Sequence, residues 1–119
     1  MRTLGQERSE YALDKVVENL TVKELKAFSA GAPSMILKNG FGQALAFWKA
    51  KGKNEHQIMF SLVRAWLLKK GFASGNTDVD FLKDLSTMEQ HRYLEAQKET
   101  LALLEWVKRY ANAFIEKEK

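Results

Sequence analysis

Few residues in this 119-residue chain are of types that do chemistry: two histidines, His56 and His91, six serines and no cysteine. The lack of cysteine excludes a disulfide scaffold, a thiolate zinc site and a cysteine nucleophile together, and suits a reducing compartment. No Glu-x-x-His pair accompanies the histidines, so the ligand set of a carboxylate-bridged metal bundle is missing, and the sequence predicts neither a metal nor a cofactor. His91 and Glu95 stand four apart, the spacing of a charge-assisted pair on an exposed helical face. His56 falls in the first turn of a helix, and no serine lies in a Gly-x-Ser-x-Gly turn. No catalytic residue is assigned, and no enzyme activity is expected. One motif could hold an anion: Asn39-Gly40-Phe41-Gly42-Gln43 puts two glycines at a helix start beside Lys38. Helix punctuation accounts for both glycines without a ligand.

Charge carries more information than catalytic potential. The formal net charge is +4, and its placement is uneven. Residues 1–35 balance five basic against five acidic groups, and residues 76–119 hold seven against nine. Between them, residues 36–75 carry Lys38, Lys49, Lys51, Lys53, Arg64, Lys69 and Lys70 against the single acid Glu55. A basic stripe of this kind points to a polyanion, with nucleic acid the first choice. The competing explanation is a solvated face, since lysines near helix ends complement the negative pole of the helix dipole.

The elements that must position these groups are helices. Ala, Leu, Glu, Lys, Arg, Gln and Met make up 67 residues, against 14 for Val, Ile and Thr. With 45% apolar residues, 11% aromatic, the chain has enough to bury for one helical domain over residues 1–119. Its longest uncharged run, residues 27–37, is far short of the ~20 residues of a membrane span, and no apolar signal core follows Met1. A soluble, cytoplasmic protein is expected.

Leu13, Val16, Val17 and Leu20 form the stripe of a first helix over residues 6–20. Thr21 with Glu24 reads as a capping box opening a second helix at Val22, anchored by Leu25 and Phe28 and interrupted at Gly31 and Pro33. A short helix over 35–38 ends at Asn39-Gly40, and the next presents Phe41, Ala44, Leu45 and Trp48 before Gly52. Asn54 with Gln57 caps a helix whose stripe is Ile58, Met59, Leu62, Val63 and Trp66, closed by Gly71. Thr77 with Asp80 opens a short helix bearing Phe81, Leu82 and Leu85. Thr87 with Gln90 caps a long last helix whose stripe runs Tyr93, Ala96, Thr100, Leu104, Val107, Ala111, Phe114. Trp106 points off that stripe, toward another helix or a partner. The charged tail 116–119 should fray. The fold class is all-α, a single compact bundle of five to seven helices with a long C-terminal helix.

In order along the chain stand Gln6-Glu7-Arg8 with Tyr11-Ala12, Pro33 with Met35-Ile36-Leu37, the run from Asn39 through Phe47, and Thr100 through Leu104 with Trp106, Lys108, Arg109 and Ala111. This series resembles the small all-helical subunit of the type III-B CRISPR effector, the RAMP-module or Cmr complex, over nearly the whole chain. The resemblance implies a non-catalytic protein, copies of which stack as a minor filament beside the subunits that carry the guide RNA. It implies guide RNA and target RNA, other effector subunits and further copies of the chain as partners. Lys108 and Arg109 then join the central stripe as candidate RNA contacts, and Asn39, Gly40, Gln43, Phe47 and Trp106 become candidate subunit-interface residues. Two rival readings remain. A free-standing DNA-binding protein would need exposed base-reading side chains on a recognition helix. A protein adaptor would need an apolar groove and no salt-sensitive RNA binding.

Overall fold

In the computed structural model, which describes residues 1–117, six helices follow one another: α1 Leu4–Val17, α2 Glu24–Asn39, α3 Phe41–Lys51, α4 Asn54–Lys69, α5 Asp78–Thr87 and α6 Gln90–Phe114. There is no strand among the described residues, so the chain is all-α with a long C-terminal helix. At 25 residues, α6 is about 37 Å long. It packs chiefly on α1 and α2, and α3 joins α2, α4 and α5. One apolar core draws on all six helices, and the radius of gyration of 13.7 Å is close to the ~13.5 Å expected for this length.

The core is filled where three-and-four spacing places it. Phe41, Ala44, Leu45 and Trp48 of α3 are fully buried, as are Met59, Val63 and Trp66 of α4 and Thr100, Leu104, Val107 and Ala111 of α6. The ends of two stripes differ from the sequence reading. Val17 and Leu20 are 54% and 41% exposed, because α1 instead buries the face of Arg8, Tyr11, Ala12 and Val16. Phe114 is also exposed, since α6 stops there and Ile115, 2% exposed, turns inward as the last anchor. Glu118 and Lys119 of the charged tail lie outside the described residues.

The predicted interruption at Gly31 and Pro33 is corrected: α2 is one helix of 16 residues with Pro33 inside it. Leu25, Ser29, Ala32 and Ile36 are all buried, a stripe that runs unbroken past the proline. Burying such a stripe, at roughly 1.5–3 kcal/mol per large apolar side chain, offsets the ~3 kcal/mol an internal proline costs. The segment 35–38 is therefore the last turn of α2.

Caps show the same competition between local signal and context. Thr77 caps α5, its Oγ1 accepting from the Asp80 amide at 3.1 Å. The other three predicted caps are not made. Thr21 lies in a turn before α2, whose N-cap is Lys23. Asn54 is already the first residue of α4. Thr87 ends α5, and its hydroxyl donates back to the Lys83 carbonyl. The complete capping box is at the chain start, where Thr3 and Gln6 satisfy each other's backbone amides. α1 thus begins two residues earlier than its apolar stripe indicates.

A buried polar junction ties three helices together. Glu99 of α6 is 4% exposed and accepts two bonds of 2.7 Å from Arg8 of α1 and one of 2.8 Å from Trp66 Nε1 of α4. The Arg8 guanidinium is held above its ordinary pKa mainly by that hydrogen bond. Nearby, the Tyr11 hydroxyl donates to the Leu62 carbonyl at 2.6 Å.

Candidate nucleic-acid interface

The seven cations of residues 36–75 do not form one continuous free surface. Lys49 Nζ is 2.5 Å from Asp78 Oδ2. Arg64 donates to the Gly75 carbonyl at 2.9 Å, and its Nε lies 3.6 Å from Asp78 Oδ1. Lys70 donates to Glu7 at 2.7 Å and sits 5.3 Å over the Trp66 ring, while Lys69 lies 6.0 Å over Tyr11. The compensating acids, Glu7 and Asp78, come from outside the forty-residue window. Lys70 in turn holds the Glu7 carboxyl below its usual range, chiefly by hydrogen bonding to the charged form. Arg64 therefore ties α4 to the 72–76 loop. Lys38, Lys51 and Lys53 are exposed, with no ion pair among the described residues. Lys53 and Lys69 flank the two ends of the 16-residue α4, about 24 Å apart along its axis.

The glycine motif builds a helix junction. Gly40 is at once the last cap of α2 and the first of α3, with φ 92° and ψ 151°, a region essentially reserved for glycine. One residue thereby joins two helices. The Gly42 amide donates to the Tyr93 hydroxyl at 2.8 Å, so the group a phosphate would need is already engaged. A Cβ at Gly42 would come within 3.1 Å of that hydroxyl. Phe41 is buried edge-on to Tyr93, with ring centroids 5.7 Å apart. Asn39, Gly40 and Gln43 are exposed, and Phe47 is half-exposed with its ring 6.1 Å from His56.

His91 pairs with Glu95 at 2.6 Å on an exposed face, as their spacing predicts. His56 is more enclosed, its ring 4.2 Å from Phe28 and its Nδ1 3.6 Å from Glu55. Trp106 is 36% exposed. It stacks on Tyr110 at 5.8 Å and borders a shallow hollow against Gly5, Ser9 and Leu13 of α1.

A second basic region is hidden from the segment charges. Lys23, the N-cap of α2, and Lys26 within it face Lys108 and Arg109 of α6 across an open groove of about 790 Å³, which Lys117 also lines. Lys26 donates to the Ile115 carbonyl at 3.2 Å, and Lys23 lies 3.7 Å from Glu116. The available signal was the three-residue spacing of Lys23 and Lys26, which both line the groove while Glu24 between them does not. Charge counted over residues 1–35 sums to zero and hides it.

Taken together, these features define an all-helical bundle held by buried polar ties, with exposed cations on more than one face. Residues 4–114 match the model of the CRISPR-associated protein family Cas_Cmr5. The chain is 31% identical over 120 residues to the CRISPR system Cmr subunit Cmr5 of Thermus thermophilus, covering 98% of this chain and 99% of that one. It is also similar to the X-ray crystal structure of a CRISPR-associated Cmr5 family protein from the same organism, with a TM-score of 0.77 and 29% identity, covering 98% of this chain and 100% of that one. The chain belongs to the Cmr5 family.

Proposed function

We propose that this chain is a non-catalytic small subunit of a type III-B RNA-guided effector complex in the cytoplasm, contacting the guide RNA–target RNA duplex through its basic surface. The observation that carries the reading is the match to a Cmr subunit along the full length of both chains. Lys38, Lys51 and Lys53 are exposed and have no ion pair among the described residues, which supports a phosphate-contacting role for them. Lys49, Arg64, Lys69 and Lys70 are steered by internal partners, so they add to the field more than to direct contact. In this reading copies of the chain stack as a filament, with Asn39, Gln43, Phe47 and Trp106 among the exposed residues that meet neighbours, and Gly40 shaping the junction beneath.

Phosphate contacts are charge-driven and carry no base code. Lys38→Ala, Lys51→Ala and Lys53→Ala together should leave the melting curve unchanged. In the assembled effector they should weaken target RNA uniformly across sequences and lower the slope of log affinity against log salt by roughly 0.7 to 0.9 per contact. Unchanged affinity and slope in a normally assembled complex would make the stripe a solvated face.

A further inference from the structure

We propose that the groove between α2 and α6 is the principal track for the phosphodiester backbone of the bound RNA. This rests on the RNA-contacting function above and assigns it to a surface on which the central stripe plays no part. The lining includes Lys23, Lys26, Lys108, Arg109 and Lys117, with Glu105 the one acid. Glu116, drawn toward Lys23 at 3.7 Å, is a second carboxylate nearby among the described residues. That pair is exposed, with 44% and 85% of its side chains open to solvent, and exposed pairs of this kind are worth little. Lys26 is bound to a carbonyl, which orients its ammonium without neutralising it. Lys108 and Arg109 have no hydrogen bond or ion pair among the described residues. Unlike Lys49, Arg64 and Lys70, each committed to the fold, Lys108 and Arg109 face two further cations across one groove.

The placement of the cations on both walls suits an extended phosphate backbone. The groove is open, and its floor carries Ala27, Ala30 and Asn112, small side chains that let a strand approach while long cations reach it from both walls. Lys23 and Lys26 are about 4.5 Å apart along the helix axis, so they meet a strand at successive points. An acidic protein segment would meet the same charges. Five long cations against one lining acid favour a continuous polyanion over an acidic segment whose charges alternate with apolar anchors.

The test compares purified effector complexes containing wild-type chain, Lys108→Ala/Arg109→Ala, or Lys51→Ala/Lys53→Ala. Each is titrated with complementary target RNA across a salt series. Both groove residues are exposed, so the bundle should melt as wild type. Two lost phosphate contacts should lower the salt slope by roughly 1.4 to 1.8 for each copy that touches the RNA, which at 0.1 M salt is about a 25- to 60-fold loss of affinity per copy, and the stripe pair should lose less. A groove variant that binds as wild type while the stripe variant weakens overturns the groove and leaves the RNA-contacting function standing. If both bind as wild type, both fail. If the groove variant is no longer incorporated into the complex, the groove is a protein interface and the inference is wrong.

Discussion

Replacing Glu99 by alanine probes how the bundle is held together. Its carboxylate is 4% exposed and accepts three bonds of 2.7 to 2.8 Å from two helices. Alanine would leave the Arg8 guanidinium facing the core without its counter-charge and Trp66 Nε1 without an acceptor. Breaking a buried pair by removing one partner costs about 3–5 kcal/mol, and an orphaned buried N–H belongs to the ~1–3 kcal/mol class. The two overlap, because Arg8 retains 20% side-chain exposure and can turn partly to water. We therefore expect a loss of about 3–5 kcal/mol, a third or more of a typical domain's stability. At roughly 4 °C per kcal/mol for a chain of this size, Glu99→Ala should melt about 12–20 °C below wild type. Arg8→Met with Glu99→Leu removes both charges and should recover most of that, leaving about 1 kcal/mol for the unpaired indole. The assay is thermal and urea denaturation of wild type, Glu99→Ala and the Arg8→Met/Glu99→Leu double variant. A Glu99→Ala melt within about 3 °C of wild type, or a double variant no better than the single, would refute the reasoning.

Other perturbations have equally definite outcomes. Gly42→Ala sets a 3.1 Å approach to the Tyr93 hydroxyl against a helix-propensity gain of about 1 kcal/mol, so it should be more favourable in a Tyr93→Phe background than in wild type; equal effects in both backgrounds contradict the junction geometry. Trp66→Ala and Leu104→Ala should each cost about 2–5 kcal/mol, checked by the same denaturation. Lowering of the Glu7 pKa means its contribution is present above the unfolded carboxyl value near ~4.3 and is lost as pH falls through the folded value. Glu7→Gln should thus flatten the acid limb of the pH–stability curve, and superimposable limbs would rule this out. Burial raises the Tyr11 pKa, so its contribution holds below about pH 10, where unfolded tyrosines ionise, and is lost above it. Tyr11→Phe should soften the alkaline loss while costing about 1 kcal/mol at neutral pH.

The six helices were legible because α3, α4 and the middle of α6 bury one continuous stripe each, and three-and-four spacing reports that directly. The errors fall where a polar group takes a core position. Arg8 and Glu99 stand on buried faces because each answers the other across 91 positions of sequence, and no local window contains both. The spacing of Glu99 from Ala96 and Leu103 was the one visible sign, a carboxylate on an apolar stripe. At Pro33 local chemistry predicts a stop and the buried stripe overrules it. The candidate site was legible as charge but not as surface. Asp78 and Glu7 neutralise stripe residues from distant helices, and Lys23 and Lys26 meet Lys108 and Arg109 only once α2 packs on α6.

The central claim, that this chain works inside an RNA-guided assembly rather than alone, is tested most directly by affinity purification of the tagged chain from its native host, with the bound RNA sequenced and the stoichiometry weighed. The account predicts several copies of the chain recovered with other Cmr subunits and guide RNA, in a complex that survives washing at moderate salt. Recovery of the chain as a free monomer without RNA, from cells in which the other Cmr subunits and guides are expressed, would contradict it.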